Sequence, residues 1–211
     1  EMIERFFGPL LFKGLFADYI VQEARIKKTA EEIEKIRRAS QLAVYGMKVA
    51  REMAAPGMTE EVLASLVRGA MIEAGAARST YIYVGSDARS SLAHTPATDN
   101  LLNEGPVVID IHAAYHDYSS DMARTIFLND RRSDAIAVYQ DFERQMCEVI
   151  GAVRDGMTLV ELKQLFHRHV QAPDGWKMLT GPVAHGVGLV NAELPRFEYP
   201  FHSQGYPERV E

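Results

Sequence analysis

One phrase of the sequence occurs twice, and it limits the fold more than any other feature. APGMTEEVLASLVRGA, at 55–70, is echoed by RDGMTLVELKQLFHRH, at 154–169. Each copy sets Gly-Met-Thr between two stretches of helical apolar spacing, with the threonine placed to cap the second. In the first copy the preceding helix opens at Thr29, with Glu32 as its capping-box partner, and runs to about Ala54. Ile33, Ile36, Ala39, Leu42, Ala43, Met47 and Ala50 give it one apolar face. Pro56-Gly57 ends it. Thr59 then opens a helix that closes at Gly75, with Glu60 and Glu61 in the first turn, where the helix dipole favours negative charge. In the second copy Thr158 has Glu161 as its box partner. A histidine-bearing segment follows each pair, with His94 in the first half and His185 in the second. This order implies two related α/β halves sharing one sheet, in an α/β or α+β chain. Chance recurrence of three residues is the competing reading on the sequence alone.

Strand candidates lie at 79–85, 107–112, 118–128 and 181–191. The middle two form a hairpin, VVIDIHAAYHDYSSDMARTIF, with an aspartate in each arm. Facing residues in an antiparallel pair have numbers of constant sum. If Asp110 faces Asp121 the sum is 231, and Tyr115-His116 is left as a tight turn. Alternation puts Asp110 and His112 on one face, together with Asp121, Ala123 and Thr125. Like charges directly opposite destabilise a sheet, so a proton, a basic partner or a cation must compensate. A divalent metal does so well, because carboxylates are its oxygen ligands. The alternative is a solvated turn aspartate, or one paired with Arg124.

His185 stands among Gly181, Gly186 and Gly188, where glycine allows close backbone approach, as beside a ligand. It is a candidate nitrogen ligand or substrate hydrogen-bonder, or an ordinary polar residue. His94, in SSLAHTPATDN, falls in a loop that could overhang the same site or stand in solvent.

Composition narrows the partners. A net charge of -6 argues against nucleic acid as the main partner. The single Cys147 excludes an internal disulfide, fits a reducing, cytoplasmic setting, and is expected as a small buried residue. No targeting or membrane-spanning segment stands out, because the apolar run at 5–20 is broken by Gly8, Pro9, Lys13 and Gly14.

Taken in order, these pieces resemble the pita-bread metallopeptidases, which include methionine aminopeptidases, Xaa-Pro aminopeptidases and prolidases, with creatinase as a relative. The likeness runs from Lys27 through KTAEEIEKIRRAS, PGMT, YIYVGSDARSSLAHTPATD, the hairpin ending in SDMARTIF, and HGVGL. It is nearer the Xaa-Pro branch, since the opening stretch resembles the end of that branch's extra N-terminal domain. The resemblance implies two pseudo-symmetric α/β halves around a mainly antiparallel sheet. It implies Asp110 and Asp121 as metal ligands, with Asp121 bridging two divalent ions (Mn, Co, Zn or Fe), and His185 as the histidine ligand. His94 would hydrogen-bond the substrate and stabilise the tetrahedral intermediate. A small peptide or small amide is the implied substrate, and a homodimer the implied assembly, with residues 6–16 as one surface for it.

The departures from the family pattern are specific. Two further glutamate ligands are expected beyond HGVGL, and Glu198, Glu208 and Glu211 come too soon for them. The expectation is therefore an incomplete catalytic domain at 27–211 lacking its C-terminal part, preceded at 1–26 by the end of another domain or a linker. Where Xaa-Pro peptidases usually carry a second histidine, this chain has Ala192 followed by Glu193. His112 replaces a small residue common in the peptidases. His112 and Glu193 are thus candidates for substrate contact, although His112 could equally pack against Ser119. The implied function is a metal-dependent hydrolase cutting an amide or peptide bond with a metal-activated water. The alternatives are a creatinase-like enzyme acting on a small metabolite and a non-catalytic binding module.

Overall fold

Two helices lie on one face of a three-stranded antiparallel sheet, and a second helix pair follows it. The computed structural model describes residues 20–78, 80–129, 133–176 and 181–199. The elements are α1 (Ala30–Met53), α2 (Glu60–Glu73), β1 (Tyr81–Ser86), β2 (Gly105–His112), β3 (Ala114–Tyr115), β4 (Tyr118–Ser119), β5 (Met122–Leu128), α3 (Ser133–Ala152), α4 (Leu159–His169), β6 (Gly181–Gly186) and β7 (Glu193–Tyr199). A short helical stretch at 20–26 precedes α1. The apolar segment at 6–16, Glu208 and Glu211 lie outside the described residues. No helix among the described residues is long and apolar enough to cross a membrane.

Both Gly-Met-Thr phrases make the same local structure. Ala55 O accepts from Met58 N–H and Arg154 O from Met157 N–H, closing a four-residue turn in each. Gly57 and Gly156 sit in them at φ +85° and +80°, torsions that cost glycine nothing and other residues a clash. Thr59 and Thr158 then accept from the N–H groups of Val62 and Glu161 to start α2 and α4. Each turn therefore folds a helix back on its predecessor.

The face of α1 that packs inward is the expected one from Ala39 to Ala50, with Met47 packed against the core, but not at its N-terminal end. Ala39, Leu42, Ala43, Gly46 and Ala50 are buried, whereas Ile33 is exposed. A Cβ at Gly46 would collide with Met71 Sδ and come within 3.2 Å of Ile111 Cδ1. Small residues thus let α1 close onto α2 and β2, and larger neighbours fill the space. Leu63, Val67 and Met71 of α2 meet Val84 of β1 and Val107, Ile109 and Ile111 of β2 in the core. Each large side chain so buried contributes about 1.5–3 kcal/mol. A second, smaller core joins Val149 of α3 to Leu162, Leu165 and Phe166 of α4 and to Val170. Cys147 is exposed, not buried. The inward positions Gln145 and Val149 are one helical turn apart, and Cys147 lies midway between them, on the opposite side of α3.

The three-stranded sheet has the order β1-β2-β5. Asp110 faces Ala123, not Asp121, and Ala114 faces Ser119, so the constant sum along the hairpin is two more than expected. The turn falls at His116-Asp117, with φ of +46° and +66°. Both central residues of a type I′ turn need positive φ, and aspartate tolerates it better than tyrosine does. A shift of two residues leaves every side chain on its expected face. Pairing breaks at Ser120-Asp121, so the expected strand at 118–128 is two strands. The expected strand at 181–191 likewise ends at Gly186, and β7 begins after a loop. Among the described residues β6 and β7 form their own two-stranded ladder, tied to the hairpin where Ser119 N–H donates to Gly188 O at 2.7 Å.

Candidate metal centre

Alternation on β2 sends Val107, Ile109 and Ile111 to the helix-covered core and Pro106, Val108, Asp110 and His112 to the other face. Across the ladders Tyr83 faces Asp110 and Tyr81 faces His112. Asp121 enters from the break before β5, and His185 from β6, beside a register shift between His185 and Gly186. Such bulges re-aim a side chain near a site.

Four polar side chains meet here. His112 Nε2 lies 3.1 Å from Asp110 Oδ1, and His112 Nδ1 lies 3.9 Å from Asp121 Oδ2. His185 Nε2 lies 3.3 Å from the same Asp121 oxygen. The His185 Nδ1 is 3.0 Å from the carbonyl of Gly186, which can only accept, so Nδ1 carries a proton. In the neutral ring Nε2 then presents its lone pair toward a carboxylate oxygen. Two acceptors face each other there, and a proton or a cation between them resolves the conflict.

Asp110 Oδ1 and both ring nitrogens of His112 are buried with no hydrogen-bond partner. Leaving such a group unsatisfied costs about 1–3 kcal/mol, and more where it is charged. Asp110, His112 and Asp121 offer ligand atoms all within 4.8 Å of one another. Oxygen and imidazole donors with unmet valence, gathered this closely, fit a divalent ion. Burial pushes the Asp121 carboxyl up. With the surrounding imidazoles protonated, a bond from His185 and the charges of His112, His185 and His94 draw it below the usual carboxylate range. Asp121 is thus held ionised.

His94 is exposed in the loop after the 3-10 turn Asp87–Ser91, with its backbone at φ +50° and its ring edge-on to Tyr83 at 5.8 Å. It lines a cavity of about 170 Å³ together with Tyr83, Val108, Asp110 and Ala123. A larger cleft of about 670 Å³ shares Val108 with it and runs along the same sheet face past Pro106, Thr125 and Phe127 toward Tyr139 and Trp176. The carboxylate end and the apolar end therefore form neighbouring compartments on one face, as ligand sites commonly combine them.

Sequence reading missed what holds the His94 loop. Glu60 is fully buried. Its Oε1 accepts from the N–H and hydroxyl of Ser86, and Oε2 from the N–H and hydroxyl of Thr98. Arg89 Nε lies 3.2 Å from Oε2. The α2 N-terminus adds two bonds of its own, from Glu60 N–H to Asn100 O and from Glu61 N–H to Thr98 O. Burial pushes the Glu60 carboxyl up, but the bonds from Ser86 and Thr98 outweigh it and leave it below the ordinary glutamate range. Tyr81 and Tyr83, which wall the site, were legible as an alternating pair in YIYVG.

Two of the glycines near His185 admit close neighbours from the start of β7. A Cβ at Gly186 would come within 2.5 Å of Leu194 O, and one at Gly188 would collide with the Glu193 carboxylate. Glu193 is itself buried and paired with Arg25 and with Lys28, the latter at 2.6 Å. Any contact of Glu193 with substrate would need a change of partner.

Known proteins share the fold. The chain matches metallopeptidase family M24 over residues 34–209. It belongs to that family. It is 31% identical over 181 residues to an Xaa-Pro dipeptidase of Pyrococcus furiosus, covering 85% of this chain and 52% of that protein. A prolidase structure from Pyrococcus furiosus superposes with a TM-score of 0.75 at 31% identity, covering 85% of this chain and 54% of the other. An X-Pro aminopeptidase from Thermotoga maritima gives 0.79 at 26% identity, over 92% and 55%. The expected pita-bread architecture of helices on an antiparallel sheet is thereby met, and the chain spans about half the length of the relatives it matches.

Proposed function

We propose that this chain belongs to a metal-dependent peptidase that hydrolyses small peptides of the Xaa-Pro kind. The observation that carries this is the meeting of Asp110, Asp121 and His185 around unsatisfied buried donors, beside a cavity shared by Asp110 and His94. Asp110, Asp121 and His185 would hold the metal, the two carboxylates balancing its charge. Two ions, of Mn, Co, Zn or Fe, are proposed for the whole protein. A bound divalent ion supplies Lewis acidity to a carbonyl oxygen and to water. His94, at the mouth of the cavity, would donate to the oxygen that gains charge as the carbonyl is attacked. Tyr83 steadies that ring from one side. The domain is proposed to begin near Lys27, where the short helix at 20–26 ends.

A second reading, a hydrolase of small non-peptide amides, is favoured by Ala192 where a histidine is usual and by His112 inside the site. Assaying the full-length natural protein with Xaa-Pro dipeptides, small amides and guanidino compounds, before and after chelation, separates the two. Metal-dependent cleavage of Xaa-Pro dipeptides is expected. Full activity in metal-free protein overturns the proposal, and no turnover with any metal leaves a binding module.

A further inference from the structure

His112 occupies a place in this site that the proposed ligands do not explain. Its side chain is 2% exposed. Tyr81 stacks on it at 4.5 Å with the rings 8° from parallel, and Tyr83 meets it edge-on at 5.7 Å and 84°. Stacking covers a face of the imidazole and fixes its plane, so what remains free is the in-plane edge that carries the nitrogens. These nitrogens point into the acidic cluster, Nε2 toward Asp110 and Nδ1 toward Asp121. Neither makes a hydrogen bond, and neither does Asp110 Oδ1. A histidine placed only to neutralise two carboxylates would donate to them in good geometry. This one lies close to both and bonds to neither.

Donors about 2.1 Å from a common ion lie roughly 3.0–4.2 Å apart. The separations of 3.1 Å (Asp110 to His112 Nε2) and 3.3 Å (His185 Nε2 to Asp121) fall in that range. The 3.9 Å to Asp121 starts from the other His112 nitrogen, Nδ1, so one nitrogen alone would take the ion, and with one donor atom each Asp110, His112 and Asp121 still gather within 4.8 Å. A ligating imidazole also directs its second nitrogen at a carboxylate or carbonyl, and His112 has a carboxylate on either side.

We infer that His112 is a direct nitrogen ligand of the metal, so that one hairpin supplies an Asp-His-Asp core to which His185 adds a second imidazole. This rests on the metal-site reading above. Two imidazoles beside two carboxylates make a site richer in nitrogen, which favours Zn²⁺ and Co²⁺ over the oxygen-preferring Mn²⁺. The tyrosine walls keep the ring in the orientation the ion requires.

The test uses the full-length natural protein, with His112→Gln and His185→Ala beside wild type. Zn²⁺, Co²⁺ and Mn²⁺ affinities are measured by titration calorimetry, and nitrogen couplings are counted by pulsed electron paramagnetic resonance with Cu²⁺ as probe. His112→Gln should weaken Zn²⁺ and Co²⁺ at least tenfold, weaken Mn²⁺ less, and lose one nitrogen coupling, as His185→Ala should. Unchanged or tighter binding with an unchanged nitrogen count overturns the inference alone. If wild type binds none of the three ions, the metal-site reading falls with it. Should His112→Gln fail to fold, ¹⁵N spectra of wild type with Zn²⁺ decide, the His112 ring being assigned through its contact with Tyr81. A metal-induced shift of one His112 nitrogen supports ligation, and none overturns it.

Discussion

His185 Nε2 faces Asp121 Oδ2 across 3.3 Å while its Nδ1 donates to the carbonyl of its own neighbour, Gly186. The backbone bond sets the tautomer, and the tautomer aims a lone pair at the acidic cluster. A residue on β6 is thereby committed to the hairpin's carboxylates, so the site depends on both halves of the chain.

Asp110→Ala removes a carboxylate with an unsatisfied buried oxygen. Metal affinity should fall by about 100-fold or more, since even supporting partners of metal ligands are worth about 10–100-fold. Activity should fall with it. Calorimetry and a peptidase assay on one preparation check that the two losses coincide.

Gly186→Ala places a methyl against the backbone carbonyl of Leu194, which has no side-chain freedom to yield. Overpacking of this kind costs about 1–3 kcal/mol. The same backbone carries the carbonyl that orients His185, so metal affinity should drop as well. Denaturant unfolding with and without Zn²⁺ measures both effects.

Glu60→Gln should cost about 2–4 kcal/mol, because a buried carboxylate that accepts from Ser86 and Thr98 loses its charge in place. The pH dependence has a definite sign. A folded-state value below the ordinary glutamate value means stability that is complete above about pH 4.3 and lost as the pH falls from there through the folded value. Acid unfolding of wild type should therefore be steeper than that of Glu60→Gln over this window, by circular dichroism.

Glu193→Gln should show itself in stability. With Arg25 and Lys28 left facing an uncharged group, a loss of about 2–3 kcal/mol is expected. That would lower Tm by about 5–10 °C in a domain of this size. A raised KM at unchanged Tm would instead assign Glu193 to the substrate.

What the sequence disclosed was what local chemistry decides. Thr29, Thr59 and Thr158 are caps because their bonding partners lie within one turn, and the two Gly-Met-Thr turns need only their own torsions. The hairpin was legible, but its register was not, since the left-handed His116-Asp117 turn competes with a neighbouring choice of equal length. The error of two left the faces intact, so Asp110, His112 and Asp121 still converge. Glu60 was illegible. An acidic residue in a helix's first turn is usually there for the dipole, and its true partners, Ser86 and Thr98, are distant in sequence. The pairing of Glu193 with Arg25 was hidden in the same way, at a sequence separation of 168.

The donors proposed for the metal come from three separate stretches, β2, the break before β5, and β6. In the unfolded chain an ion could gather them only by closing a long loop, at an entropic cost the folded chain has already met. If the proposed ion binds, occupancy and folding are thermodynamically linked, and free metal at a hundred times its dissociation constant should add about 2.7 kcal/mol to the folded state. The protein would then carry a melting temperature that reports the metal supply around it.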